Sequence, residues 1–238
     1  MNRMINDAVL GVYSALESAG LRQLQNSDNP DRGHRAEATS GLHLDSLAYQ
    51  IQLDLQQQGV PAEMIHEGRG VDLRLPGYYR RTKDWDLTIV TDNLEHDLVA
   101  TIELKSINSS FGNNSNNRIE EALGSITDAR AAIRHDLYGS RAYPPMFGYV
   151  MVVKACAESM RKTSEPNALY PIDPAFQNTS YMERFTVFCE RILVEKLYDA
   201  VWLVAADPET GKVWEPSPML TYERFIATIA AAWRIHEA

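Results

Sequence analysis

Two short stretches limit what this chain can fold into. Residues 147–153 (Phe-Gly-Tyr-Val-Met-Val-Val) and 199–205 (Asp-Ala-Val-Trp-Leu-Val-Ala) run almost without a polar break. Both fall far short of the roughly 20 apolar residues that span a bilayer. Both lack the alternation of a strand with one wet face, so they suit central strands covered on two sides. Such strands need helices above and below the sheet.

The sequence supplies those helices. Residues 5–19 carry Ile5, Ala8, Val9, Val12, Leu16 and Ala19 at helical spacing. Residues 25–41, rich in Asn, Asp, Gly, Arg and Ser, read as a mobile loop. A second helix is predicted over 42–58, with Leu47, Ala48, Ile51 and Leu55 on one face, stopped by Gly59 and Pro61. Short strands follow at 71–75, 86–90 and 98–105, the last two joined as an antiparallel hairpin through the polar loop 91–97. A helix at 118–137 turns Ile119, Ala122, Leu123, Ile126 and Ile133 inward; helices at 181–197 and 222–236 complete the set. No repeat or low-complexity linker divides the chain. The expectation is one α/β domain over 1–238, a mixed central β-sheet flanked by α-helices.

The two cysteines, Cys156 and Cys189, stand in apolar surroundings without CxxC spacing. Reduced thiols in a cytoplasmic protein are expected, and a cysteine-built zinc site is excluded. The N-terminal stretch reads as amphipathic rather than as a signal peptide, and no membrane partner is expected. A formal charge of −9 speaks against nucleic acid taken alone, but distribution outweighs the sum. Between Arg69 and Lys83 stand five basic residues and one acid, Asp72.

Chemistry concentrates between Asp86 and Lys105. Alternation puts Ala100, Ile102 and Leu104 on one face of their strand and Glu103 and Lys105 on the other, about 7 Å apart. Folding the hairpin about its middle brings Asp86 opposite residue 102 or 103. Two carboxylates and an ammonium then converge. An acid two positions before a lysine on a half-exposed strand is usually a solvated charge pair. Here, however, it is the only one of six lysines so preceded, and Asp86 falls where pairing requires a second acid. Asp86, Glu103 and the Leu104 carbonyl offer hard oxygens suited to Mg²⁺, which takes few protein carboxylates and keeps waters. Such an ion makes hydroxide available and stabilises charge at phosphorus. Lys105 then orients or deprotonates the attacking water.

After this strand come four Asn in five positions: Asn113, Asn114, Asn116 and Asn117, followed by Arg118. A helix cap and turn account for one or two of them. Base and phosphate contacts account for all, since Asn pairs with adenine and Arg with guanine.

At these residues the chain resembles the XhoI-like family of type II restriction endonucleases. The resemblance rests on Leu75-Pro76-Gly77-Tyr78-Tyr79-Arg80-Arg81-Thr82-Lys83-Asp84-Trp85-Asp86-Leu87, on Thr101-Ile102-Glu103-Leu104-Lys105-Ser106, and on Ser110 to Arg118. It continues through Glu120-Glu121-Ala122 and Gly124-Ser125, and returns at Ser180-Tyr181, Arg184, Cys189 and Leu197-Tyr198-Asp199-Ala200. It spans roughly Arg35 to Ala200 in one order. The resemblance implies a PD-(D/E)xK nuclease fold, Mg²⁺ dependence and cleavage of double-stranded DNA. It makes Asp86 and Glu103 the metal-binding acids and Lys105 the catalytic lysine, with Trp85 standing in the usual proline position. Family members typically read CTCGAG and leave 5′ overhangs with 5′-phosphate ends. A palindrome implies a two-fold homodimer, and a host carrying such an enzyme is expected to carry a protective methyltransferase. The segment 106–110 is one residue shorter than the Gly-Pro-containing loop of the family, and 176–179 replaces a Lys-Gly pair.

Asp45 joins the candidate catalytic set, because nucleases of this fold often carry an acid on the corresponding helix; its alternative role is first-turn electrostatics. Glu37 is a weaker rival. Arg80, Arg81 and Lys83 are candidate phosphate clamps, and Glu120 and Glu121 are expected on the helix surface. Two other readings remain: a repair nuclease selecting DNA structure, and an inactive DNA-binding module. The Asn run opposes the first. The intact Asp86, Glu103 and Lys105 set opposes the second, since carboxylates repel phosphate unless a cation lies between them.

Overall fold

The computed structural model describes residues 1–26, 42–68, 70–91, 97–139, 143–164 and 168–237. Most of the expected 25–41 loop, with Glu37, and also Arg69 and the hairpin tip 92–96, lie outside the described residues.

Six strands form the main sheet: β1 (Ile65–Glu67), β4 (Leu87–Val90), β5 (Leu98–Ile107), β6 (Met146–Lys154), β7 (Ala200–Asp207) and β8 (Lys212–Trp214). Their spatial order is β1-β4-β5-β6-β7-β8. β5, β6 and β7 pair in parallel, and the outer pairings are antiparallel. The two apolar runs are thus the central strands: Phe147 to Val153 and Ala200 to Ala206 are buried without exception.

Helices cover both faces, as strands of this kind demand. On one side α1 (Arg3–Asn26), α2 (Asp45–Gln57) and α6 (Tyr222–Glu237) pack Val9, Leu47, Ile51, Phe225 and Ile229 against Ile102, Leu104, Val150 and Trp202. On the other, α3 (Phe111–Arg134) and α5 (Tyr181–Val194) pack Phe111, Ile126, Phe185 and Ile192 against Tyr149, Met151 and Leu203. A short α4 (Ala157–Met160) links β6 toward α5. α5 starts with a capping box in which Ser180 accepts from the Glu183 N–H and the Glu183 carboxylate accepts from the Ser180 N–H. Among the described residues no helix is long and apolar enough to cross a membrane.

Three expectations need correction. The strand at 71–75 is a 3-10 turn, Val71–Leu73, leading into β2 (Arg74–Pro76), which pairs with β3 (Thr82–Asp84) in a separate two-stranded sheet. Pro76 and Gly77 turn the chain there before it can join the main sheet. The third long helix starts at Phe111, not 118, so the Asn run lies inside its first two turns. Phe111 is buried, and its N–H donates to Glu158 Oε1 at 3.1 Å, a partner 47 residues away that extends the helix backwards. Leu123 is exposed rather than inward.

Candidate active site

β4 begins at Leu87, which pairs with Ile102; just before it, the Asp86 N–H still donates to the Ile102 carbonyl at 3.2 Å. Past Ile102, β5 has no β4 partner. The Asp86 side chain takes the place of the missing strand, accepting the Leu104 N–H on Oδ2 at 2.7 Å. The Leu104 carbonyl leaves β5 on the same side, past the end of that ladder.

Glu103 lies beside Asp86 on the face toward α3 and is 1% exposed. Its Oε1 meets Lys105 Nζ at 2.7 Å and Lys83 Nζ at 3.0 Å. The Tyr198 hydroxyl lies 3.4 Å from Oε2, and is better placed to donate to the Ala122 carbonyl at 3.1 Å. Burial alone would push the Glu103 carboxyl up, but the ammoniums of Lys105 and Lys83 outweigh it and hold it below its ordinary value. Lys105 is raised: burial works against its charge, and Glu103 and Asp86 more than restore it. Asp86 is raised chiefly by burial, against the pull of Lys105 and the Leu104 N–H.

The structure therefore brings Asp86, Glu103 and Lys105 together, and adds Lys83. The arrangement offers hard oxygens of the kind that Mg²⁺ accepts, two carboxylates and a backbone carbonyl. Among the described residues no cluster of three acids or histidines forms a richer metal site. Asp45 opens α2 and is exposed; its charge acts on Glu67, itself raised by burial first and by Asp45 second, while the charges acting on Asp86 are Lys105, Glu103 and Lys83.

The basic hairpin is fastened to α3 by one buried acid. Asp128 Oδ1 accepts the backbone N–H groups of Tyr79 (2.6 Å) and Arg80 (3.4 Å), and Oδ2 pairs with the Arg80 guanidinium at 3.2 Å. Gly77 makes this approach possible, because a Cβ there would overlap Asp128 Oδ2 and crowd the Arg80 carbonyl at 2.7 Å. Tyr78 stacks on His135 with ring centres 4.0 Å apart. Arg81 projects at the exposed tip, and Arg80 is half-exposed.

Asn113, Asn116 and Asn117 are exposed on α3; Asn114 is half-buried and donates to the Ser109 carbonyl at 3.3 Å. Arg118 pairs with Glu121 at 2.5 Å, and the Glu121 charge reaches Lys105. Sequence reasoning missed Asp128, which carries no local signal inside a helix, and the inward turn of Lys83, the half-buried middle residue of β3. It also missed His43, whose Nε2 lies 2.7 Å from Ser106 Oγ just past Lys105.

Comparison with known proteins narrows the setting in which this cluster of acids and lysines works. The sequence profile of restriction endonuclease XhoI matches residues 22–216. The chain belongs to the XhoI restriction endonuclease family. It is 37% identical over 187 residues to the type II restriction enzyme BstVI of Geobacillus stearothermophilus, covering 76% of this chain and 81% of that one. It is 36% identical over 197 residues to the type II restriction enzyme XhoI of Xanthomonas vasicola, covering 78% and 77%. With the type II restriction enzyme AbrI of Azospirillum brasilense it shares 34% over 164 residues, covering 68% and 71%. No solved structure matches the chain. The family membership accords with the mixed sheet flanked by helices, and the acid–lysine cluster falls inside the matched span.

Proposed function

We propose that this XhoI-family chain is a type II restriction endonuclease that cuts double-stranded DNA at CTCGAG, leaving 5′ overhangs with 5′-phosphate ends. The observation that carries the reading is Lys105 held 2.7 Å from Glu103, with the Asp86 carboxylate bound to the Leu104 N–H between them in sequence. Asp86, Glu103 and the Leu104 carbonyl would hold Mg²⁺, which supplies a Lewis acid that eases loss of a proton from water and stabilises charge at phosphorus.

The chain's own groups account for the rest. Lys105 stays protonated beside Glu103 and orients the attacking water. Hydrolysis forms a bond from that water to phosphorus and breaks the bond to the 3′ oxygen, which leaves as a hydroxyl. Arg80 and Arg81 hold phosphates at the hairpin tip, where Arg81 is exposed. Asn113, Asn116 and Asn117, with Arg118 and Asn114 behind them, contact base edges in the major groove. The palindrome calls for a homodimer with one such centre per strand, working in the cytoplasm beside a host methyltransferase.

Incubating the protein with a sequenced plasmid, with Mg²⁺ or with EDTA, and sequencing the fragment ends tests this. Mg²⁺-dependent cuts at CTCGAG are expected. Discrete cuts elsewhere would reject that site and keep the chemistry; intact DNA containing the site would reject the endonuclease.

A further inference from the structure

Lys83 was expected among the phosphate clamps, but its surroundings do not fit that task. It is the middle residue of β3, between exposed Thr82 and Asp84, and its side chain points inward, 15% exposed. Its Nζ lies over the ring of the buried Trp85, 4.8 Å from the centre. Arg74 takes the neighbouring Asp84 charge to the outside through a 2.7 Å pair.

What Lys83 meets inside is a carboxylate oxygen already in use. Both ammoniums bind Glu103 Oε1, Lys105 at 2.7 Å and Lys83 at 3.0 Å. A purely structural pair needs one of them. The second pays for its removal from water and for repulsion from the first, and gains besides only a long contact to the Asp84 carbonyl at 3.5 Å. Fold stability therefore gives a poor account of Lys83. Function gives a better one: cleavage gathers negative charge on the non-bridging phosphate oxygens, where a fixed cation in a buried cleft acts strongly.

Building on the endonuclease reading above, we propose that Lys83 is a second catalytic lysine: its ammonium donates to a non-bridging oxygen of the scissile phosphate while Lys105 serves the attacking water. It makes and breaks no bond. The hairpin that delivers it also carries Arg80 and Arg81, so one element grips the backbone at its tip and reaches the reacting phosphate from its second strand.

The test compares Lys83→Met, which keeps an unbranched side chain of similar length and removes the charge, with Lys83→Arg and Arg81→Ala. Duplex affinity is measured with Ca²⁺ in place of Mg²⁺, and single-turnover cleavage at saturating enzyme. For Lys83→Met the rate is expected to fall about 10²–10³-fold, with affinity within about threefold of wild type. Lys83→Arg should recover part of the rate, and Arg81→Ala should weaken binding instead. Sulfur substituted for one non-bridging oxygen gives the signature: the slowing seen with wild type should shrink in Lys83→Met and persist in Arg81→Ala. A structural lysine would leave that slowing unchanged, and a clamp would lose affinity with the rate intact; either result overturns the proposal. A wild-type protein that cuts no DNA fails the endonuclease reading itself, whereas a cutting wild type matched by Lys83→Met fails the role of Lys83 alone.

Discussion

In the first half of β5, residues 98–102 are buried without exception and face β4 on one side, with β6 alongside from Ala100. In the second half, residues 103–107, β6 remains and β4 is gone. There the strand carries Glu103 and Lys105, and the freed Leu104 N–H is taken by the Asp86 side chain. One strand thus does two jobs, and what separates them is a lost neighbour. The first half fills a core. The second offers the Leu104 N–H to a side chain and matches Glu103 with two ammoniums, so it can hold charge that an unpaired site would have to exclude.

The contrast can be broken by substitution. Lys105→Ala and Asp86→Ala should lower cleavage at least about 10³-fold in a single-turnover assay, with thermal melting close to wild type for Lys105→Ala because Lys83 still neutralises Glu103. Glu103→Gln should be inactive as well, and in addition lose about 3–5 kcal/mol of stability in urea, since two buried ammoniums lose their counter-charge. Ile102→Ala, one residue away in the core half, should cost about 2–5 kcal/mol of stability and leave the single-turnover rate of the folded protein unchanged. If Ile102→Ala instead lost activity in proportion to Lys105→Ala, the division of β5 would be wrong.

A smaller effect sharpens the same division at the strand's far end. His43 grips Ser106, and burial first, then the Arg118 charge, lowers its pKa to about 4. An unfolded histidine titrates near 6.5, so the unfolded chain binds the proton first as pH falls. The stability contributed by neutral His43 is complete above about pH 6.5 and is lost as pH falls through about 4. Melting temperature against pH should therefore fall more steeply across that window for wild type than for His43→Gln. Equal slopes would remove His43 from the account.

The sequence showed the core half more readily than the cleft half. β6 and β7 were legible because an unbroken apolar run has few other uses, and the Asp86–Glu103 juxtaposition followed from counting residues around a hairpin. The start of α3 was not legible: Glu158 satisfies the Phe111 N–H from a distant segment, and local propensity carries no trace of that. Lys83 looked like one more member of a basic stripe because sequence gives charge without direction. Its inward turn comes from the pairing of Lys83 with Leu75 in the small sheet, a tertiary outcome of the turn at Pro76 and Gly77. Asp128 was invisible for a similar reason, since its partners are backbone groups 48 and 49 residues earlier.

Gly77 touches neither acid nor lysine of the cleft, yet every side chain placed there collides with Asp128 and the Arg80 carbonyl. A saturation library selected for cleavage should therefore return this position as nearly immutable, while neighbouring Tyr79, exposed on the same loop, accepts many replacements. On this loop, tolerance to variation follows the space left beside each residue.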